Sequence, residues 1–401
     1  MSITTETTYS VAGKQLKLTT AADIEPYVSE LSSKLGITKI DFSGNTIGIE
    51  ASKRLGEAIA QHKDSLIEIN FSDLYTGRLN TEIPQSLNYL LPALLECPKL
   101  TTVNLSDNAF GLQTIDPIED YLSKAVSVEH LILSNNGMGP FAGARIGKSL
   151  YKLSKAKKVS GYNSLKTFVC GRNRLENGSI NYLAIGLRSH KDLATVRLYQ
   201  NGIRPAGAEK LITLGLVRNK QLQVLDLQDN TLTTRAASAL AKALPEWSNL
   251  LELNLNDCLL KPKGCLVLTS ALSDAQASKT LSILKLQYNE LEPDSLKKLA
   301  QAAETSLLNL KSLELNGNRF DGELEDLEAI VSAIAKNASG EVDELDDLDS
   351  DEEEVSDEED NEDTFDDIDA NLSDLEADLA SASSSDVDEL TEKLGSTHIQ
   401  S

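Results

Sequence analysis

Three short strings carry the side chains best suited to acting on a charged partner. Asp73-Leu74-Tyr75-Thr76-Gly77-Arg78 brings a guanidinium out of a Gly-containing loop, Asn135 stands directly before a second asparagine, Asn136, and Arg172-Asn173-Arg174 sets two guanidinium groups around a third asparagine. A guanidinium presents a planar fork of donors to carboxylate or phosphate, and a carboxamide offers donor and acceptor together. Such groups recognise and orient a partner; they do not form or break covalent bonds. Taken alone, each string also reads as solvated loop, and position by itself does not decide between the two.

Groups for covalent or metal chemistry are sparse. The string Ala142-Gly143-Ala144-Arg145-Ile146-Gly147-Lys148-Ser149 approaches a phosphate loop, but Ala142 replaces the first required glycine and the segment reads as helix. His62, His130, His190 and His398 are the only histidines, and none has a second ligand at metal spacing, so we expect no metal. No Ser-His-Asp or Cys-His arrangement can be assigned. Cys97, Cys170, Cys258 and Cys265 are scattered without a CxxC pair and read as reduced core residues.

What positions the three strings is a repeat. The pattern LxxLxLxxN ends at Asn45, Asn108, Asn136, Asn173, Asn201, Asn230, Cys258, Asn289 and Asn318, and a tenth copy, from Leu66, puts Leu74 in the asparagine place. First positions are separated by 29, 34, 28, 37, 28, 29, 28, 31 and 29 residues. This is the leucine-rich-repeat signature, with room for a strand and a full helix in each unit. Helix-forming segments follow the strands, as at Ala239, Glu209 and Glu328. Strands stack at about 4.8 Å and helices need roughly 10 Å, so the expected fold is an α/β leucine-rich-repeat solenoid, horseshoe or crescent, with parallel strands concave and helices convex.

Each ladder asparagine is expected to bond neighbouring loop backbone that would otherwise be buried unpaired. The residue before it is then free for the strand-exit rim: Gly44, Asp73, Asp107, Asn135, Arg172, Gln200, Asp229, Asp257, Tyr288 and Gly317. With Arg174, Arg197 and Arg204 this predicts a basic rim segment. The lysine-rich stretch from Lys148 to Lys158 falls behind, as solvated helix surface.

The formal net charge of -24 is concentrated at one end. Residues 337–392 hold 26 acidic residues and no Lys or Arg, leaving 36 acidic against 38 basic elsewhere. A nearly neutral body argues against nucleic-acid binding. We expect a repeat domain over 1–336, with an N-terminal cap near 1–36 and a C-terminal cap helix near 324–336, followed by a largely disordered acidic tail over 337–401. Within the tail, the stretch around Leu375 has the spacing of a short helix in a bound state, and Ser350 and Ser356 precede acidic residues as phosphorylation sites do. No apolar stretch reaches the ~20 residues that span a bilayer, so we expect a soluble intracellular protein with no membrane contact.

The segments TGRLNTEIP from Thr76, LSDNAFG from Leu105, LSNNGMGP from Leu133, CGRNRLENGS from Cys170, QNGIRPAG from Gln200, LDLQDNT from Leu225 and LNDCLL from Leu255 resemble the GTPase-activating proteins of the small GTPase Ran. The resemblance covers the repeats and the acidic tail, in the yeast-type layout. It implies a monomeric, cytoplasmic regulator of nucleocytoplasmic transport, at the nuclear envelope or shuttling in some settings. Such a protein binds Ran in its GTP form, with or without a Ran-binding protein, and accelerates hydrolysis. It implies no catalytic site and no cofactor of this chain's own, GTP and Mg²⁺ being the partner's. Arg78 matches the arginine of TGR, Asn135 the first asparagine of NNG, and Arg174 the second arginine of GRNR. The implied mechanism orders Ran's own catalytic glutamine rather than inserting an arginine, with Asn135 acting around the nucleotide. Asn80 stands where some members carry a basic residue. Asp73, Asp107, Arg172, Arg197 and Arg204 complete the expected partner-binding set, and the tail would meet basic surfaces.

Two other readings are open to an acidic repeat protein. Histone-binding proteins with acidic tails use repeats of about 22 to 24 residues, shorter than the unit here. Inhibitors of the ribonuclease-inhibitor type share the unit but are rich in cysteine.

Overall fold

The computed structural model describes residues 7–273, 279–320, 324–346, 374–377 and 379–380. It divides into two compact units, residues 1–193 with 373–401, and 194–372. The expectations for 347–373, including a disordered acidic run and modification at Ser350 or Ser356, lie outside the described residues.

In the first unit the main strands are β1 (Thr8–Ser10), β3 (Lys39–Asp41), β5 (Glu68–Asn70), β6 (Thr102–Asn104), β7 (His130–Ile132) and β8 (Thr167–Val169), each pairing in parallel with the next. A second small sheet pairs β2 (Lys17–Leu18) with β4 (Thr46–Ile47). Between strands run α1 (Ala21–Ser33), α2 (Ile49–Ala60), α3 (Ile83–Leu95), α4 (Ile115–Lys124), α5 (Gly139–Ser160) and α6 (Ile180–Arg188). The string that approaches a phosphate loop lies inside α5.

The second unit repeats the plan. Its strands are β9 (Thr195–Arg197), β10 (Val224–Asp226), β11 (Glu252–Asn254), β12 (Ile283–Lys285), β13 (Ser312–Glu314) and β14 (Glu341–Val342), again parallel and in order. The helices are α7 (Pro205–Lys210), which continues through a π turn at Leu211–Gly215, then α8 (Thr233–Ala243), α9 (Lys261–Leu272), α10 (Pro293–Thr305) and α11 (Glu325–Ala338). The cap helix thus extends past residue 336, and β14 adds one more strand after it.

Register follows from the side-chain period of two along each strand. In β5, β6, β7 and β8 the central residue, Ile69, Val103, Leu131 and Phe168, is fully buried, and its neighbours are half-exposed on the open strand face. The helices' apolar residues close the core from the other side.

The ladder supplies the polar order inside. Asn108 Oδ1 accepts the Leu74 N–H at 2.7 Å, Asn136 Oδ1 accepts from Asn108 N at 2.8 Å, and Asn173 Oδ1 accepts from Asn136 N at 2.9 Å. Each Nδ2 donates to loop carbonyls of its own and the preceding repeat, as Asn108 does to Leu105 O and Phe71 O. Asn45 does the same for Val11 and Phe42, and in the second unit Asn201, Asn230, Asn289 and Asn318 continue the pattern. Cys258 holds its place with a weaker thiol donor, Sγ to Leu227 O at 3.2 Å. All four cysteines are free and buried.

One expectation fails within α5. Lys157 is not solvated: it is 2% exposed, and its ammonium donates to Val126 O at 2.7 Å and Asn163 O at 2.9 Å. Burial pushes its pKa down to about 8. The long helix carries this lysine over loop carbonyls that have no strand partner, so the amine replaces a missing backbone donor.

Candidate functional site

The rim of the first unit is built by one backbone device. Asp73, Asp107, Asn135 and Arg172 all take left-handed conformations, with φ of 48°, 62°, 55° and 56°. The N–H groups of the first three reach across to the next repeat, Asp73 to Ser106 O at 3.0 Å, Asp107 to Ser134 O at 2.9 Å and Asn135 to Gly171 O at 2.8 Å. Left-handed φ is costly for non-glycine residues, least so for Asn and Asp. The same conformation recurs at Gln200, Asp229, Asp257 and Tyr288, and glycine fills the place at 44 and 317. It therefore belongs to the repeat's architecture, and function lies in which side chain each position carries.

In the first unit those side chains alternate in kind. Asp107, Asn135 and Arg172 are exposed, while the ladder residues beside them are buried: Asn108 is 2% exposed, Asn136 1% and Asn173 0%. The register that makes Asn136 structural thus leaves Asn135 on the rim. Asn135 Nδ2 donates to Asp107 Oδ1 at 2.8 Å, so the carboxamide is oriented by the preceding repeat. Asp73 is tied within its own loop by the Thr76 hydroxyl.

Arg78 does not extend from the rim. Its guanidinium folds back towards the N-terminal repeats, donating to Thr46 Oγ1 at 3.0 Å and Thr19 Oγ1 at 2.9 Å. The sequence gives no hint of these two anchors, since they lie 32 and 59 residues away. Asn80 bonds Gln113 in the following repeat. Arg172 and Arg174, both left-handed and exposed, make no ion pair or hydrogen bond among the described residues.

The four arginines expected to form a basic rim segment are shared between the two units. Arg197 lies in β9 on the open strand face of the second unit, where Asp226 accepts at 2.9 Å and Glu252 pairs with it in two bonds at 3.0 Å. Its charge is met by two carboxylates within the chain, from the next two strands. Arg204 is exposed at the N-cap of α7. The two belong to the second unit, whereas Arg172 and Arg174 belong to the first.

The first unit thus presents carboxylates, one oriented carboxamide and two unpaired guanidinium groups along one row. That set can bind a polar, charged surface and fix a hydrogen-bonding group in it, and it contains no nucleophile with a base. Among the described residues no group of three His, Cys, Asp or Glu could hold a metal, and no helix is long and apolar enough to cross a membrane.

A Leucine Rich repeat family model matches residues 96–112 and 218–241. Ran GTPase-activating protein 1 of Saccharomyces cerevisiae is 52% identical over 334 residues, 82% of this chain and 82% of that protein. Ran GTPase-activating protein 2 of Caenorhabditis elegans is 42% identical over 204 residues, 50% of this chain but 21% of its own length. A solved leucine-rich-repeat protein of Leptospira interrogans covers 84% of this chain and 95% of its own, at 18% identity and a TM-score of 0.40. With half of its residues shared over most of both chains with the yeast relative, this protein belongs to the Ran GTPase-activating protein family.

Proposed function

We infer that this chain activates GTP hydrolysis by Ran. The observation that carries the inference is 52% identity across 82% of both chains to a protein of that name. The histone-binding alternative has no comparable support.

The GTP form is the proposed target, met by the rim of the first unit. Asn135, aimed by Asp107, acts near the nucleotide; Arg172 and Arg174 hold the acidic or phosphate-bearing surface, Arg78 meets it beside the rim from its anchorage on Thr46 and Thr19, and Asp73 and Asp107 face basic groups. Arg197 and Arg204 serve as secondary contacts. The chain supplies no catalytic group or cofactor, and GTP with its Mg²⁺ stays on Ran. In a related GTPase the whole gain from an activator that supplies an arginine to the nucleotide is about 10⁵-fold, roughly 7 kcal/mol of barrier, which bounds what ordering the GTPase's own water-positioning glutamine can contribute here. We place the protein in the cytoplasm as a monomer, able to act with a Ran-binding protein present, the acidic tail raising the association rate with basic surfaces at low salt.

Titrating the protein against immobilised Ran loaded with a non-hydrolysable GTP analogue or with GDP tests the state preference. A preference for the GTP form of at least about tenfold, ~1.4 kcal/mol, is expected. Equal affinity for both forms would remove the basis of the reading.

A further inference from the structure

The sixth helix is buried on a side where most of its counterparts inside the repeat array are open. At about 100° per residue, Ile180, Leu183, Ala184 and Leu187 make the face that α6 turns to the core, and Ile185 falls on the opposite side. Ile185 lies twelve residues after ladder Asn173. The same offset from Asn45, Asn108, Asn230 and Asn289 gives Glu57, Asp120, Lys242 and Gln301, all exposed, while in α11, the cap helix, it gives the buried Ile330. Ile185 is apolar and 0% exposed.

The chain's own C-terminal segment lies in this unit. Residues 374–377 and 379–380 are helical and group with the first unit rather than the second. Leu379 is only 8% exposed, and the Glu376 carboxylate is paired with the Arg188 guanidinium. Arg188 sits three residues beyond Ile185, close to one turn along the helix. An apolar side chain and a carboxylate, three residues apart in one short segment, thus match an apolar side chain and a guanidinium three residues apart on α6.

We propose that the outer face of α6, centred on Ile185 and Arg188, is a docking site whose occupant is the chain's own segment 374–380. Leu379 shields the apolar side of α6 from water, and the Glu376 pair sets the direction in which the segment lies. Because the segment is tethered, its effective concentration is of millimolar order, and so small a contact suffices to hold it. The docking is reversible, weakened by salt through the ion pair and open to competition from any helix carrying the same acid and apolar spacing. It stands independently of the action on Ran.

Hydrogen exchange on the full chain, read at peptides covering 374–380 and 180–188, tests this. The unaltered protein is expected to protect 374–380 by at least about tenfold over a free peptide of that sequence. Leu379→Asp should abolish that protection and speed exchange at 180–188. Glu376→Arg should weaken it, and Arg188→Glu combined with Glu376→Arg should restore it. Free-peptide exchange in the unaltered chain would overturn the proposal. So would protection that grows with protein concentration, which would place the segment on a second copy.

Discussion

Asn135 donates its amide hydrogen to the Asp107 carboxylate of the preceding repeat at 2.8 Å, and this single bond decides which way the rim carboxamide faces. The left-handed backbone at Asn135, φ 55°, is fixed by the repeat whatever the side chain. Glycine takes that conformation without strain. Asn135→Gly should therefore leave the unfolding free energy within about 1 kcal/mol of the parent while removing the carboxamide. If its activation of Ran equals the parent's, Asn135 has no part in the site. Asp107→Ala should give a smaller loss of activation, because the amide keeps its place but loses its orientation.

The guanidinium of Arg78 is held by Thr46 and Thr19. These bonds lie at a partly exposed surface, so Arg78→Ala should cost only about 1 kcal/mol of stability. Its effect on Ran should be far larger, on the order of a hundredfold in activation, about 2.7 kcal/mol. Arg78→Lys keeps the charge but cannot fork between the two hydroxyls, and should recover only part of the loss. Urea unfolding alongside turnover separates the two effects, and proportional losses in both would reduce Arg78 to a structural residue.

Removal of a ladder asparagine strikes the fold instead. Asn108→Ala leaves the Leu74 N–H and the carbonyls of Phe71, Leu105 and Ser106 without their side-chain partner. The expected cost is about 3 kcal/mol, measured by equilibrium unfolding. A loss below about 0.5 kcal/mol would mean that water replaces the ladder without penalty.

His190 gives the fold a pH dependence. Its ring is buried, Nδ1 accepting from Leu165 N at 3.3 Å and Nε2 donating to Leu150 O at 2.9 Å, and burial pushes its pKa down to about 4. An unfolded imidazole titrates near 6.5. Above that pH both states are neutral and this group costs nothing. As pH falls from about 6.5 to 4, the unfolded chain takes up a proton that the folded one refuses, and roughly 3 kcal/mol of stability is lost. In His190→Gln the decline over this window should be shallower; an unchanged slope would show that the ring titrates freely in the native state.

The repeat and its buried ladder were legible because each rests on a local pattern that recurs eight times with asparagine, once with Cys258 and once with Leu74. The placing of Asn135 outside the ladder was legible for the same reason, since only one of two adjacent asparagines can occupy the ladder position. Contacts between repeats were not. Arg197 meets Asp226 and Glu252 only because parallel strands bring residues 29 and 55 positions away into line. The Asp226 match at the same place in the next repeat was a signal that could have been read. Lys157 looked solvated because a run of lysines says nothing about which of them lies over an unpaired carbonyl. The fold-back of Arg78 depends on two threonines that no spacing rule connects to it.

The most direct measurement is single-turnover hydrolysis of Ran-bound GTP, with the intact protein and with Arg78→Ala and Asn135→Gly, each verified as folded. Strong stimulation by the intact chain is expected, reduced about a hundredfold or more in either folded variant. Absence of stimulation by the intact chain would contradict the assignment to Ran. Full stimulation by both variants would contradict the rim of the first unit as the place where it acts.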